Sequence, residues 1–317
     1  MIDWQLERDP ERSFRAAVDT RERIAGFVRA TPLLRSDDGR LLLKLESLQR
    51  TGSFKVRGAA SAITAGRPPR GIVAASTGNH GLAVAAIARA LEIPCRIFVP
   101  ATAAAAKLAR LRQAGVELIG VDGDPLRAEL AAREACDARE GLLLVPPYND
   151  PHVVLGQATL GLELLEELGT GAPDALFAAV GGGGLIAGLA LALRARWPHC
   201  RLVGCLPAAS PAMAEAVAAG VVVDSPLQAT LADATAGNIE PATITLPICA
   251  ALVDEWQLIE EAEIAAAMRS ALLEHHLAIE GAAAVALAAS LRRDDGERHL
   301  VVLGGGNVGA QTLRTVV

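Results

Sequence analysis

The chain has 317 residues, of which 51% are hydrophobic and 21% charged, and its formal net charge is −6. That length suits about two domains with real cores, and the composition excludes a disordered chain. The acidic balance without a basic stripe excludes nucleic acid as a partner, and aromatics at only 3% leave alanine and leucine to fill the core, which favours helices.

The start, Met1-Ile2-Asp3-Trp4 followed by mixed charges, has no basic stretch ahead of an apolar one, so no leader peptide is expected. Short apolar runs then alternate with helical patterns. Residues 41–45 read as a strand, and residues 71–75 as a second that ends at Ser76, with a helix over 81–91. A strand over 95–99 precedes a helix over 102–114, stopped by Gly115. Strands over 116–121 and 142–145 flank a helix over 126–139, and another helix covers 152–168. The strand at 175–180 runs into four consecutive glycines, and a helix over 185–196 follows. A strand over 201–206, helices over 261–274 and 282–291, and a last strand over 299–303 complete the series.

This alternation predicts an α/β fold with mostly parallel sheets. The expected division is a large domain from residues 1–72 and 146–317, with a small domain inserted at 73–145. The longest uncharged run, 175–193, has the length of a membrane span, but the glycines break it, so a strand, a loop and a helix are expected and no membrane partner. The five cysteines form no CxxC pair and read as buried thiols in a reducing, cytoplasmic compartment.

Three loops and one lysine carry the chemistry. Lys55 follows a Thr51-Gly52-Ser53 turn and Phe54. Gly181, Gly182, Gly183 and Gly184 lie between a strand and a helix, where exposed backbone N–H groups and a helix N-terminus attract phosphate. A bare tight turn would be a costly use of four glycines. The spacing is neither GxGxxG nor a P-loop. Ser76-Thr77-Gly78-Asn79-His80-Gly81 also joins a strand to a helix and reads either as a carboxylate cradle or as an ordinary cap. His80 lacks partners at metal-ligand spacing and reads as a polar loop residue. One amine beside several anion-accepting loops suits pyridoxal phosphate, which carries both an aldehyde and a phosphate.

In order and separation, these segments resemble the fold-type II pyridoxal-phosphate enzymes, whose architecture is that of the tryptophan synthase β subunit. More narrowly they resemble the serine/threonine dehydratase and serine racemase group. The likeness extends over Asp150-Pro151, Gly156-Gln157, Leu231-Ala232-Asp233, Ile279-Glu280 and Gly305-Gly306-Asn307, nearly the whole chain. It implies that Lys55 carries the cofactor as a Schiff base and later moves the Cα proton. It places Phe54 near the ring, Asn79 on the phenolic oxygen, and Gly181 to Gly184 with Leu185 around the phosphate. Ser76, Thr77, Asn79 and His80 would take the substrate carboxylate, and Arg127 matches a carboxylate-facing arginine if a one-residue gap is allowed. Relatives of that group are commonly homodimers or homotetramers.

Several positions depart from the pattern. Gly304 stands where relatives carry a hydroxyl opposite the pyridine nitrogen. Thr77 stands where racemases carry a proton-handling serine. Glu215 matches a metal-binding glutamate, but Val221 stands near the expected second carboxylate, so no metal is expected. The run Ala236-Gly237-Asn238-Ile239-Glu240-Pro241 resembles a subgroup that includes hydroxyectoine-utilisation dehydratases. The chain ends soon after Gly309, so feedback through a regulatory C-terminal domain is not expected.

The implied activity is that of an ammonia-lyase on L-threonine, L-serine or a related β-hydroxy amino acid. Its rivals are a serine or aspartate racemase, a β-replacement enzyme that needs a thiol or sulfide acceptor, and a phosphate-binding α/β protein without catalysis.

Overall fold

The computed structural model describes residues 9–123 and 125–316. The expectation about a leader peptide falls on residues outside that range. In chain order the elements begin with α1 (Pro10–Ile24), β1 (Leu33–Arg35), β2 (Leu41–Lys44) and α2 (Lys55–Ile63). Next come β3 (Gly71–Ala75), α3 (Asn79–Ala90), β4 (Cys95–Pro100), α4 (Ala105–Gln113), β5 (Glu117–Val121), α5 (Pro125–Asp137) and β6 (Leu142–Leu144). Then follow α6 (Pro151–Leu168), β7 (Ala175–Ala179), α7 (Gly184–Leu193), β8 (Arg201–Pro207), α8 (Ala212–Ala219) and α9 (Thr245–Leu252). The last are β9 (Glu255–Ile259), α10 (Glu261–Leu273), α11 (Gly281–Leu291), β10 (His299–Val302) and α12 (Ala310–Val316).

The strands form two sheets. The six-stranded sheet has the order β1-β2-β10-β7-β8-β9, and only β1 runs antiparallel to its neighbour. The four-stranded sheet, β5-β4-β3-β6, is parallel throughout. Side-chain alternation along a strand puts successive residues on opposite faces. Leu300 and Val302 of β10, with Leu176 and Ala178 of β7, pack with Leu160 of α6 and Ile186 and Leu189 of α7. Val301 and Phe177 point the other way, into a core with Met268 of α10 and Val285 and Leu287 of α11. The smaller sheet is covered likewise: Ile72 and Ile97 meet Val56 of α2 and Val84 of α3, whereas Val73 and Phe98 meet Ala128 and Ala132 of α5.

The helix expected over 102–114 begins instead at Ala105. The Ala101 N–H is held by the Val121 carbonyl at 2.8 Å and Ala103 closes a turn onto Pro100, so the chain stays tied to the sheet edge for three more residues. The five cysteines are unpaired. Burial pushes the Cys95, Cys200 and Cys249 thiols up to about 12, which removes them as nucleophiles. Among the described residues no helix is long and apolar enough to cross a membrane.

Candidate functional site

Loops from both sheets converge beyond the carboxyl ends of parallel strands, where α/β folds place their ligands. After β2 the chain continues beside the segment after β10. Ser47 N–H donates to the Leu303 carbonyl at 2.9 Å, and Phe54 N–H donates to the Gly304 carbonyl at 3.0 Å. This strap sets Lys55, the first residue of α2, at the edge of a cavity of about 290 Å³.

Close packing and a buried charge network hold α2 in place. A Cβ at Gly156 of α6 would lie 2.5 Å from the Arg57 carbonyl oxygen, so only glycine allows the two helices this approach. Arg57, fully buried, donates from Nε and Nη2 to both oxygens of Glu46 at 2.8 Å and pairs with Glu163 at 2.7 Å. Lys44, equally buried, meets Glu163 at 3.2 Å and Glu167 at 2.6 Å. The Lys55 amine donates to the Pro147 carbonyl at 2.9 Å. Burial lowers its pKa to about 8, with Glu280 opposing that shift. A sizeable fraction of the amine is therefore neutral near pH 7.5.

The tetraglycine segment forms another wall of the cavity. A Cβ at Gly182 would lie 2.3–2.4 Å from three atoms of the Tyr148 ring. Gly183 has φ +82°, a left-handed conformation that favours glycine, and it caps α7. The Tyr148 hydroxyl accepts from Glu240 N–H at 2.8 Å, which fixes the ring beneath the loop. The first-turn N–H groups of α7 have no partner within the helix and lie at the positive end of its dipole. An amine, a side-chain-free loop and a helix N-terminus around one cavity fit a ligand that carries an aldehyde and a phosphate.

The Ser76 loop forms the opposing wall, between β3 and α3. Ser76 Oγ accepts from Gly78 N–H at 3.1 Å, and Thr77 lines the cavity. His80 Nε2 lies 2.8 Å from the Val145 carbonyl, and a carbonyl only accepts, so that nitrogen carries the proton. Burial and the nearby Lys55 charge push the His80 pKa to about 3. Its ring is therefore neutral and its Nδ1 cannot donate to a carboxylate, so His80 can serve an anion only through its backbone N–H. Asn79 is similarly engaged. Its Nδ2 donates to Glu280 at 2.7 and 3.0 Å, and its Oδ1 accepts from Asn307 Nδ2 at 2.7 Å. Burial raises the Glu280 pKa, against the Asn79 hydrogen bond that lowers it.

Of the residues singled out in the sequence, Phe54, Lys55, Ser76, Thr77, Asn79 and His80 all line this one cavity, and so do Gly181 to Gly184, Leu185 and Gly304. Arg127 does not. It is exposed in the first turn of α5 and folds back on the preceding loop, where a Cβ at Gly123 would lie 2.9 Å from its Cγ. Gly304 faces Phe54, whose ring a Cβ there would meet at 3.2 Å. Glu215 accepts from the Ser225 hydroxyl, and Val221 is exposed. Sequence reasoning gave no role to Tyr148, Lys107 or Arg110, which also line the cavity. Glu280 and Asn307 were visible only as parts of motifs. The signal for Glu280 lies in Gly305, where a Cβ would come within 2.2 Å of its Oε1.

The family model described as "Pyridoxal-phosphate dependent enzyme" matches residues 24–305. An L-threonine ammonia-lyase of Geobacter sulfurreducens is 41% identical over 87% of this chain and 69% of its own. An L-threo-3-hydroxyaspartate ammonia-lyase of a Pseudomonas species is 35% identical over 93% of this chain and 95% of its own. The solved structure of maize serine racemase superposes with a TM-score of 0.87 at 30% identity, covering 95% of each chain.

Proposed function

The chain belongs to the pyridoxal-phosphate-dependent enzymes, and on that premise we propose that it is an ammonia-lyase converting a β-hydroxy amino acid, in the class of L-threonine and L-serine, to a 2-oxo acid and ammonia. The observation that carries this reading is the Lys55 amine on a cavity that also has the tetraglycine loop and the Ser76 loop in its walls. The cofactor supplies an electron sink for negative charge developing at the substrate Cα.

The chain's own residues do the rest. Lys55 is the covalent attachment point. Freed from that bond, its amine has a lowered pKa and takes the Cα proton as a general base. The N–H groups at the start of α7 hold the phosphate. Those at the start of α3, with the Ser76 and Thr77 hydroxyls, hold the substrate carboxylate and orient the Cα–H bond toward Lys55. Phe54, Leu185 and Tyr148 provide apolar walls that limit water around the reacting carbon. The β-hydroxyl then departs as water, and hydrolysis of the remaining C–N bond releases ammonia.

Thr77 supports a second reading, in which its hydroxyl handles a proton on the face opposite Lys55 and the product is the other enantiomer. We further propose a cofactor domain from residues 1–72 and 146–317 with an inserted domain at 73–145; the separate four-stranded sheet supports the division, with the first boundary falling before β3, which begins at Gly71. A cytoplasmic homo-oligomer accords with the unpaired cysteines and with the group it resembles.

The test is Lys55→Ala. Loss of the visible absorbance of the bound cofactor together with loss of keto-acid release is expected. Unchanged colour and turnover would refute the assignment. Chiral analysis of the remaining amino acid separates the two readings.

A further inference from the structure

We propose that Arg110 selects substrates that carry a second carboxylate, so that 3-hydroxy amino dicarboxylic acids are the preferred class. The proposal rests on the ammonia-lyase reading above and goes beyond it to the substrate side chain.

The cavity has three features that attract anions, and the reaction as read so far uses two. The tetraglycine loop with the N-terminus of α7 takes the cofactor phosphate. The Ser76 loop with the N-terminus of α3 takes the substrate's α-carboxylate. The third is the pair Lys107 and Arg110, one turn apart on α4, both exposed on the cavity wall. Lys107 is already matched, since its Nζ lies 2.7 Å from Asp233 Oδ2. Arg110 is not. Its guanidinium donates to the Asn307 side-chain oxygen and, at 3.4 Å, to the Asn307 backbone carbonyl. Both acceptors are neutral, and among the described residues no carboxylate lies within ion-pair distance of Arg110.

The position of this charge is as informative as its lack of a counter-ion. Asn307 passes from Arg110 directly to Asn79, at 2.7 Å, and Asn79 is the first residue of α3. The guanidinium thus stands one amide away from the cradle for the α-carboxylate. A hydroxy amino dicarboxylate of the aspartate skeleton has its two carboxylates separated by two carbons, so a substrate anchored at α3 would turn its distal carboxylate toward α4. Arginine presents a planar fork of N–H donors that suits a carboxylate better than a point charge would. The methyl of threonine and the hydrogen of serine offer that fork nothing.

The experiment measures kcat/KM of the holoenzyme for L-serine, L-threonine, and the threo and erythro forms of L-3-hydroxyaspartate, following 2-oxo acid release. One 3-hydroxyaspartate diastereomer is expected to exceed L-threonine by about tenfold or more, the range of a charge-assisted hydrogen bond. Arg110→Gln should collapse that ratio by a similar factor, and Arg110→Lys should restore part of it. Malonate should compete against the wild-type enzyme and lose potency against Arg110→Gln. A wild-type preference for L-threonine would overturn the proposal. So would an Arg110→Gln variant that slows all four substrates by the same factor, because Arg110 would then only brace Asn307 and Asn79. The wild-type ratio and malonate inhibition decide the matter even where the variant does not fold. No 2-oxo acid from any of the four substrates would sink the ammonia-lyase reading, and this proposal with it.

Discussion

Covalent capture of an aldehyde by the Lys55 amine should follow pH with a midpoint near 8. Only the neutral amine is a nucleophile, and burial lowers the Lys55 pKa from 10.5 to about 8. At pH 7.5 a group with that value is neutral in about a quarter of molecules, against about one in a thousand for an ordinary lysine. Loading of the apoenzyme should therefore run roughly 200-fold ahead of a free lysine side chain at that pH, for equal intrinsic nucleophilicity. The assay mixes apoenzyme with cofactor across pH 6.5 to 10 and follows the rise of visible absorbance. Dividing each rate by that of Nα-acetyl-lysine at the same pH removes the cofactor's own titration. The ratio should be largest below pH 8 and shrink steadily above it. Because Glu280 holds the Lys55 value up, Glu280→Gln should move the midpoint lower. A ratio independent of pH, or a midpoint above 9.5, would show that the amine is solvated and that the cavity does not tune it.

Gly182→Ala puts a methyl 2.3–2.4 Å from the Tyr148 ring. Overpacking of that kind costs about 1–3 kcal/mol. It should lower cofactor affinity by about tenfold in equilibrium dialysis, while the secondary structure seen by circular dichroism stays intact. Gly305→Ala drives a Cβ into Glu280, at 2.2 Å from Oε1, and frees Asn79 from its anchor. Turnover should fall by more than tenfold with a smaller change in cofactor affinity, read as kcat against dialysis. Arg57→Met strands Glu46 in the core and leaves Glu163 to Lys44 alone, at a cost of about 3–5 kcal/mol by urea unfolding of the apoprotein. Burial alone would raise the Glu46 pKa, but Arg57, with Thr31 and Lys44, carries it below 4.5. Its contribution is thus present above pH 4.5 and lost as pH falls through the lower folded value. The stability gap between wild type and Arg57→Met should accordingly narrow in acid.

The parallel strands other than β9 are legible because they are short apolar runs, several of them closed by a glycine or a polar loop. Their carboxyl ends gave the positions of the Ser76 loop, the tetraglycine loop and Gly304. Elements without such contrast were missed. In α2 eight of the nine residues are buried, so no polar face marks its period, and Gly58 interrupts its helical propensity. The strand β9, Glu255–Ile259, lies at a sheet edge, carries the polar Glu255 and Gln257 among its five residues, and buries only Ile259. For α1 the sequence does hold a capping signal, with Asp9 accepting from Arg12 N–H at 2.9 Å ahead of Pro10, but no unbroken apolar period of the helix type follows it.

The same contrast divides the site. A backbone that must approach a ligand or a ring leaves glycines in the sequence, and these can be found by eye. A side chain that works by reaching across the cleft leaves no local mark. Arg127 and Arg110 show the difference. Arg127 is implied by the family resemblance once a one-residue gap is allowed, but a helix start at Pro125 after Gly123 sends it back onto its own loop. Arg110 sits in an unremarkable run, Leu108-Ala109-Arg110-Leu111-Arg112, where Leu111 is fully buried and Arg112 exposed. Its place on the cavity depends on β4 and β10 belonging to different sheets whose carboxyl ends face each other, a relation between residues about 200 apart that no window of sequence contains. Catalytic position is set by strand order and is readable, whereas substrate choice is set by which side chains meet across the two sheets and needs the fold.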